Sequence, residues 1–329
     1  MKSVQQIRAF VVHKTRMLYL IARGIPFGAA RYFAGWNGFH QVGIVRKFVI
    51  RNGYIYFDER RLPTSVIGIT QNDVATLSIL IEKFIFRHDN GHYLLNTVGH
   101  ENIPLTIEVV DHGSLVAFFD VFVSRSYSFF GSQKYVVVDV GTNVGLAALS
   151  FASRPDVEAV FTFEIVPSTY EVALRNFSRN PDVAKKITAY NFGLAATDDE
   201  FWINASIPNT ATFSIPRTFS DPASYHDSQK VVTRNAGFIF DNVIKLDESE
   251  SISFVLKMDC EGSELDILRS MSANMVIERF SIIILEWHFD NYNEVKKLLL
   301  KHEFILFEDR KNGEAWSTGM IYAVRHMKR

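Results

Sequence analysis

Hydrophobic and polar positions settle into a regular alternation near residue 126. From Tyr135 onward, short unbroken apolar runs are separated by stretches with helical spacing. "YVVVDVG" is the first such run, the mark of a strand covered on both faces. "TNVGLAALSFASR" predicts a helix opened by a glycine-containing turn, and "VEAVFTFEIVP" and "STYEVALRNFSRN" predict a second strand and helix. "KKITAYNFGLA" predicts a third strand and "FVLKMDC" a fourth, with helix "SELDILRSM" after it. "RFSIIILEWH" predicts a fifth, followed by helix "NEVKKLLLKH". "FILFED" and "MIYAVRH" predict an antiparallel hairpin at one edge. Strands alternating with helices imply an α/β fold: a Rossmann-like, doubly wound, mostly parallel sheet over residues 126–329.

The pattern before it is different. Residues 44–125 are strand-rich and irregular, and Asn52-Gly53 between two β-like runs predicts a hairpin. This region reads as a cap or a sheet extension. Residues 1–43 form a basic amphipathic segment, with Ile7, Phe10, Val11, Met17, Leu18 and Ile21 near helical spacing. Three readings remain open for it: a helix docked on the domain, an interfacial membrane helix, or a transit peptide. Charges interrupt every apolar stretch, which excludes a secretory signal. A long polar insertion rich in Ser, Thr, Asn and Pro, from Asn204 to Gly237, separates the third and fourth strands. Loops of that length are commonly functional, so it is a candidate substrate lid.

Composition narrows the classes. No apolar run approaches a membrane span. The single cysteine, Cys260, excludes an intramolecular disulfide framework and a multi-cysteine zinc site, and it fits a reducing compartment. A cytoplasmic location is expected. Net charge is −1, yet nine basic residues precede the first acidic one, Asp58. That asymmetry makes an anionic membrane surface a candidate partner for residues 1–57, with no specific nucleic-acid signal.

The turn after the first long strand carries Asp139, Gly141, Asn143 and Gly145. In a doubly wound sheet that turn lies at the ligand crevice. Gly141 would allow close backbone approach to a ligand and Gly145 tight packing. Neither the dinucleotide pattern G-x-G-x-x-G nor a phosphate loop is present, which argues against a dehydrogenase. Asp139 suits a cation. S-adenosyl-L-methionine offers a sulfonium and an ammonium, and Glu164 at the end of the second strand suits its two ribose hydroxyls. Asn191, Gly193 and Leu194 in "NFGLA" would border its adenine.

A second constellation lies in "LKMDCEGSE". Together with "VVVDVGTNVG", "FTFEIVPSTYEVALRNFSRN", "NFGLA" and "IIILEWH", it resembles the FkbM-type S-adenosylmethionine-dependent methyltransferases over about residues 126–325. The family pattern Lys-x-Asp-x-Glu-Gly-x-Glu is matched by Lys257, Asp259, Glu261, Gly262 and Glu264. Thr142 departs from a commoner alanine. Trp287, between Glu286 and His288, departs from a branched apolar residue. The resemblance implies a Rossmann-like methyltransferase fold and O-methylation of hydroxyls on sugars, glycolipids or natural products.

Such a transfer needs an aligned hydroxyl and a base. Residues two apart share a strand face, so Lys257, Asp259 and Glu261 are expected to point one way, as are Glu286 and His288. His288 is the first candidate base because its ordinary pKa lies near neutrality. Asp259 is the second, Lys257 would pair with Asp259 or Glu286, and Glu261 and Glu286 would bind the acceptor. Glu264 suits the first turn of the next helix. Mg²⁺ held by the carboxylates is an alternative for gripping a vicinal diol. A catalytically silent nucleoside- or glycolipid-binding module is the alternative from another class.

Overall fold

The computed structural model describes residues 48–51, 54–57, 60–63, 85–89, 92–204, 228–244, 252–310 and 318–325. The basic segment 1–43 and residues 205–227, most of the candidate lid, lie outside them. The chain divides into two compact units, residues 1–95 with 109–119, and residues 96–108 with 120–329. Residues 96–108 and 120–125, which precede the boundary expected at residue 126, lie in the larger unit.

In the smaller unit, β1 (Phe48–Arg51), β2 (Tyr54–Phe57) and β3 (Arg60–Pro63) form an antiparallel meander. Arg51 pairs with Tyr54, the register expected of a two-residue Asn-Gly hairpin. The strand β4 (Ile85–Asp89) follows, and β5 (His92–Val98) runs into the larger unit.

The larger unit opens with β6 (Pro104–Val109), whose last residue lies in the smaller one. A short helix of the smaller unit, α1 (His112–Phe118), starts at Asp111, whose side chain accepts from Ser114 N while Ser114 caps in return. The sheet proper comprises β7 (Lys134–Val140), β8 (Val157–Phe163), β9 (Ile187–Tyr190), β13 (Ile252–Met258), β14 (Phe280–His288), β15 (Ile305–Arg310) and β16 (Thr318–Val324). Its order is β15-β16-β14-β13-β7-β8-β9. The strands from β9 to β14 run parallel. The expected hairpin is present, but β16 inserts between β14 and β15, antiparallel to both. Every residue from Ser253 to Met258 and from Phe280 to Leu285 is buried, which requires cover on both sheet faces.

Helices supply that cover: α2 (Leu146–Ala152), α3 (Pro167–Ser178), α4 (Pro181–Ala184), α5 (Ala236–Ile239), α6 (Glu264–Ala273) and α7 (Tyr292–Lys301). Leu268 and Met271 of α6 and Val295 and Leu299 of α7 join Leu256, Met258, Ile283 and Leu285 in one core. Each such side chain contributes about 1.5–3 kcal/mol on burial. No described helix is long and apolar enough to cross a membrane.

The third strand is shorter than its sequence suggested. It breaks at Asn191-Phe192, and β10 (Gly193–Ala195) leaves for a second sheet, beside β12 (Ser228–Asn235), which also pairs β11 (Asp199–Asn204). The polar insertion is thus a strand over its last third, not continuous loop. Chain direction across the main sheet reverses at β7, with β8 on one side and β13 on the other. Ligands in such sheets bind beyond the C-terminal ends at that reversal.

Asn176 of α3 ties this point to the rest of the unit. Fully buried, it accepts from Glu108 N at 2.7 Å and donates to Val144 O at 2.8 Å. Asn176→Ala leaves two buried backbone groups unsatisfied and is expected to cost about 2–4 kcal/mol, read as a lower midpoint in urea denaturation with an unchanged slope.

Candidate active site

The first polar centre is sealed inside the sheet. Lys257 and Asp139 are register neighbours on β13 and β7. Lys257 Nζ lies 3.1 Å from Asp139 Oδ1 and donates to Gly141 O at 2.6 Å. Thr142 Oγ1 donates to Asp139 Oδ2 at 2.6 Å. The lysine is 2% exposed and the aspartate 0%. Burial pulls the lysine pKa down, but the charges of Asp139 and Asp259 outweigh it and hold the pKa above its ordinary value.

Two expectations change here. Asp139 does not face a cationic ligand, because its carboxylate is enclosed and its charge is balanced by Lys257. Lys257 pairs with Asp139 rather than with Asp259 or Glu286. Gly141 also acts within the protein: at φ +75°, its missing Cβ would lie 1.8 Å from Asp259 O. The close approach seen here is that of two turns. Gly145 similarly lets α2 meet Phe177 of α3.

The second centre lies at the end of β8. Glu164 Oε2 accepts from Asn143 N at 2.9 Å and Oε1 from Val166 N at 2.9 Å. Burial raises the Glu164 pKa to about 7, against the lowering effect of those two backbone bonds. Asn143 sits at φ +53°, and its buried Oδ1 has no hydrogen-bond partner. Asn191, exposed at the end of β9, donates to Glu164 O at 2.9 Å. Gly193 and Leu194 do not end the third strand as expected. Gly193 lies against Ile165 and Leu194 is a buried core residue, because β10 turns away into the smaller sheet.

The third centre gathers the other expected residues. Strand β13 ends at Met258, and Glu261 follows in a left-handed conformation at φ +52°. His288 ends β14. Its Nε2 lies 3.4 Å from Glu261 Oε2 and 3.9 Å from Asp259 Oδ1, while Nδ1 is 2.9 Å from Glu264 Oε1. Glu286 accepts from Thr318 Oγ1 at 3.0 Å. Burial would lower the His288 pKa. The Glu264 hydrogen bond and the charges of Glu264, Glu261 and Asp259 outweigh burial and raise it to about 9. That balance favours the imidazolium at neutral pH, a form without a lone pair to take a proton. Glu261 shows the opposite balance. Burial, with repulsion from Asp259 and Glu286, raises it to about 7 against the attraction of His288.

Asp259, Glu286 and His288 place ligand atoms within 4.8 Å of one another. They are the residues that would hold a divalent ion, provided His288 released its proton.

Two contributions escaped the sequence reading. Tyr127 donates to Asp259 Oδ2 at 2.8 Å, and Lys257 Nζ stands 5.1 Å from its ring centroid. Burial and the nearby Asp259 raise the Tyr127 pKa well above its ordinary value, so it stays a donor. Its loop is pinned by Tyr322, which donates to Ser126 O at 2.7 Å, and by Arg154, which donates to Phe129 O at 2.9 Å. Glu264 is 0% exposed. Besides holding His288 it accepts from Cys260 N and Gly262 N. Its place after Gly-Ser announced a helix start and gave no sign of this double duty.

Sheet order and crevice together define a Rossmann-like fold of the methyltransferase class. Residues 139–313 match the family model described as the methyltransferase FkbM domain, over more than half of the chain, and the chain belongs to that family. No curated protein matches it. Among solved structures it is similar to the methyltransferase FkbM from Methylobacillus flagellatus KT. Identity is 16%, over 62% of this chain and 47% of that one, with TM-score 0.41. It thus spans about half the length of that structure. It is also similar to Streptococcus pneumoniae Sp1610, a putative tRNA (m1A22) methyltransferase in complex with S-adenosyl-L-methionine. There identity is 16%, over 60% of this chain and 70% of that one, with TM-score 0.35. TrmK of M. capricolum in complex with S-adenosyl-homocysteine matches at 12% identity, over 61% and 66%, with TM-score 0.34.

The buried pair yields a stability test. Lys257→Met leaves the Asp139 charge buried and unpaired and is expected to cost about 3–5 kcal/mol. Adding Asp139→Asn removes that charge and should recover more than half of the loss, as measured by thermal and urea unfolding of the single and double variants.

Proposed function

We propose that this chain transfers a methyl group from S-adenosyl-L-methionine to a hydroxyl of a sugar, glycolipid or natural product. The observation that carries the reading is the charge imbalance at the third centre. Asp259, Glu261, Glu264 and Glu286 surround one imidazolium, and Lys257 is committed to Asp139. The surplus negative charge suits a cationic methyl donor.

The second centre fits that donor's nucleoside. Each Glu164 oxygen accepts one backbone bond, leaving capacity for ribose hydroxyls, and the buried Asn143 Oδ1 awaits a donor. Glu164 and Asn143 would hold the nucleoside, with Asn191 beside them. When bound, S-adenosylmethionine supplies an electrophilic methyl on a positively charged sulfur.

The chain's own residues do the rest. Glu261, with its pKa near 7, takes the hydroxyl proton, since a base is most effective when its pKa lies near the working pH. His288 stays charged and orients Glu261. Asp259, fixed by the Tyr127 hydroxyl, accepts a hydrogen bond from the acceptor, and Glu286 binds a neighbouring hydroxyl. Residues 1–57, basic without a balancing acid, would bring the chain to an anionic membrane surface if the acceptor is a lipid.

Two tests follow. With saturating methyl donor, kcat should rise as pH increases through about 7, where Glu261 ionises, and fall above about 9, where His288 loses its proton. These two values belong to the coupled cluster. Glu261→Gln should lower kcat by roughly 10²–10⁴-fold and remove the acid limb. Retained kcat with an unchanged acid limb would exclude Glu261 as the base. Separately, hydroxyl donors favour ionised Glu164, so protons compete with the ligand. S-adenosylhomocysteine affinity, measured by calorimetry, should weaken below pH 7, at most about tenfold per unit. Glu164→Gln should flatten that dependence. Binding of S-adenosylhomocysteine without label transfer to any hydroxyl acceptor would favour the silent binding module.

A further inference from the structure

Asp259 follows the last residue of β13, and Glu286 and His288 end the neighbouring strand β14. One ligand atom from each lies within 4.8 Å of the others. A metal ion stands roughly 2.0–2.2 Å from oxygen or imidazole nitrogen, so two ligands of one ion are at most roughly 4.3 Å apart. His288 Nε2 and Asp259 Oδ1, at 3.9 Å, already satisfy that limit. The widest separation closes with a side-chain shift of roughly half an ångström.

These three side chains are oriented by groups outside the trio. Fully buried Glu264 accepts from His288 Nδ1 at 2.9 Å, which leaves Nε2 as the nitrogen facing the acids. A carboxylate on the far nitrogen is the usual outer partner of a metal-binding histidine. Tyr127 donates to Asp259 Oδ2 at 2.8 Å, and the other oxygen, Oδ1, is the one turned to His288. Thr318 donates to Glu286 Oε1 at 3.0 Å. Each ligand is thus fixed by a separate element: α6, the loop holding Tyr127, and β16. Ligands held by an outer layer distinguish a metal centre from a patch of surface acids. The side chains of His288 and Asp259 are 12% and 23% exposed, enclosed yet reachable from the crevice.

The donor set selects the ion. Carboxylate oxygens alone suit Mg²⁺ or Ca²⁺, whereas an imidazole nitrogen favours a transition ion. We infer that Asp259, Glu286 and His288 form a binding site for a divalent transition ion of the Mn²⁺ or Zn²⁺ type. Three protein ligands leave such an ion's shell incomplete, with a position open to water or to an acceptor oxygen. The ion takes the place of the proton on His288 Nε2 and brings one more positive charge. The carboxylates of Asp259, Glu261, Glu264 and Glu286 still outnumber it, so the centre keeps its negative surplus. The site departs from the Mg²⁺ that the carboxylates suggest by themselves, and it goes beyond the methyl-transfer reading without depending on it.

The test is calorimetric titration of the full-length chain, stripped with EDTA, with the chlorides of Mn²⁺, Zn²⁺, Mg²⁺ and Ca²⁺. Wild type should take up one equivalent of Mn²⁺ or Zn²⁺, at least about tenfold more tightly than Mg²⁺ or Ca²⁺. Tyr127→Phe, which frees Asp259 from its outer partner, should weaken Mn²⁺ binding by roughly 10–100-fold. His288→Ala and Asp259→Asn remove ligands and should each weaken it by more than roughly 100-fold. Should the variants fail to fold, pulsed electron paramagnetic resonance of Mn²⁺ on wild type decides: the ion should show coupling to an imidazole nitrogen. No uptake of Mn²⁺ or Zn²⁺ at millimolar concentration, binding unchanged in both ligand variants, or bound Mn²⁺ without nitrogen coupling would overturn the site. Mg²⁺ or Ca²⁺ bound as tightly as Mn²⁺ would overturn it too, since that is the behaviour of carboxylates alone.

Discussion

The buried pair of Lys257 and Asp139 is the constraint around which the crevice is built. Two charges enclosed in a sheet are tolerated only when paired and hydrogen-bonded. Pairing requires β13 and β7 to be neighbours in parallel register, which they are. Lys257 also binds Gly141 O, and Thr142 binds Asp139. One lysine therefore joins two strand ends and the first turn. Because Gly141 has no Cβ, the turn can lie directly on Asp259 O, which brings the first turn against the residues of the carboxylate cluster.

Lys257 is hydrogen-bonded to Gly141 and paired with Asp139, and it reaches the acidic cluster only through the charge of Asp259. His288 supplies the positive charge instead, and it does so because Glu264 grips Nδ1 from a fully buried position. The same carboxylate caps the turn at Cys260 and Gly262. Folding of the α6 entrance and protonation of His288 are thus a single local arrangement. Carboxylates crowded into half-buried space divide the charge unequally, leaving Glu261 able to titrate near neutrality.

Most of the sheet was legible in the chain because burial on both faces forces continuous apolar runs, as in "YVVVDVG" and "SIIILEWH". The edge was less so: "FILFED" and "MIYAVRH" announce a hairpin but not that β16 sits inside it. The site followed the same division. Polar residues at strand ends stand out against apolar runs, so Asp259, Glu261, Glu286 and His288 could be singled out, and the structure brings them together. Their ionisation was not, since it depends on Glu264, whose reach back to His288 crosses 24 residues of sequence. Tyr127 was invisible because its contact with Asp259 spans 132 residues. "NFGLA" misled because an apolar run continues through a break between two sheets.

The left-handed residues explain why chemistry gathers at this end. Asn143, Glu261 and Phe289 all have positive φ without being glycine, and each ends a strand of the parallel set or the turn after it. A parallel strand must leave its sheet abruptly to begin a covering helix. Where the exit is sharp, the backbone takes conformations that cost free energy and turns side chains toward the crevice instead of the core. Positive φ also occurs away from the crevice, at Glu101, Asn102, Arg125, Met275 and Glu303. At the crevice the neighbouring hydrogen bonds offset its cost, from Glu164 to Asn143 and from Glu264 to the turn around Glu261.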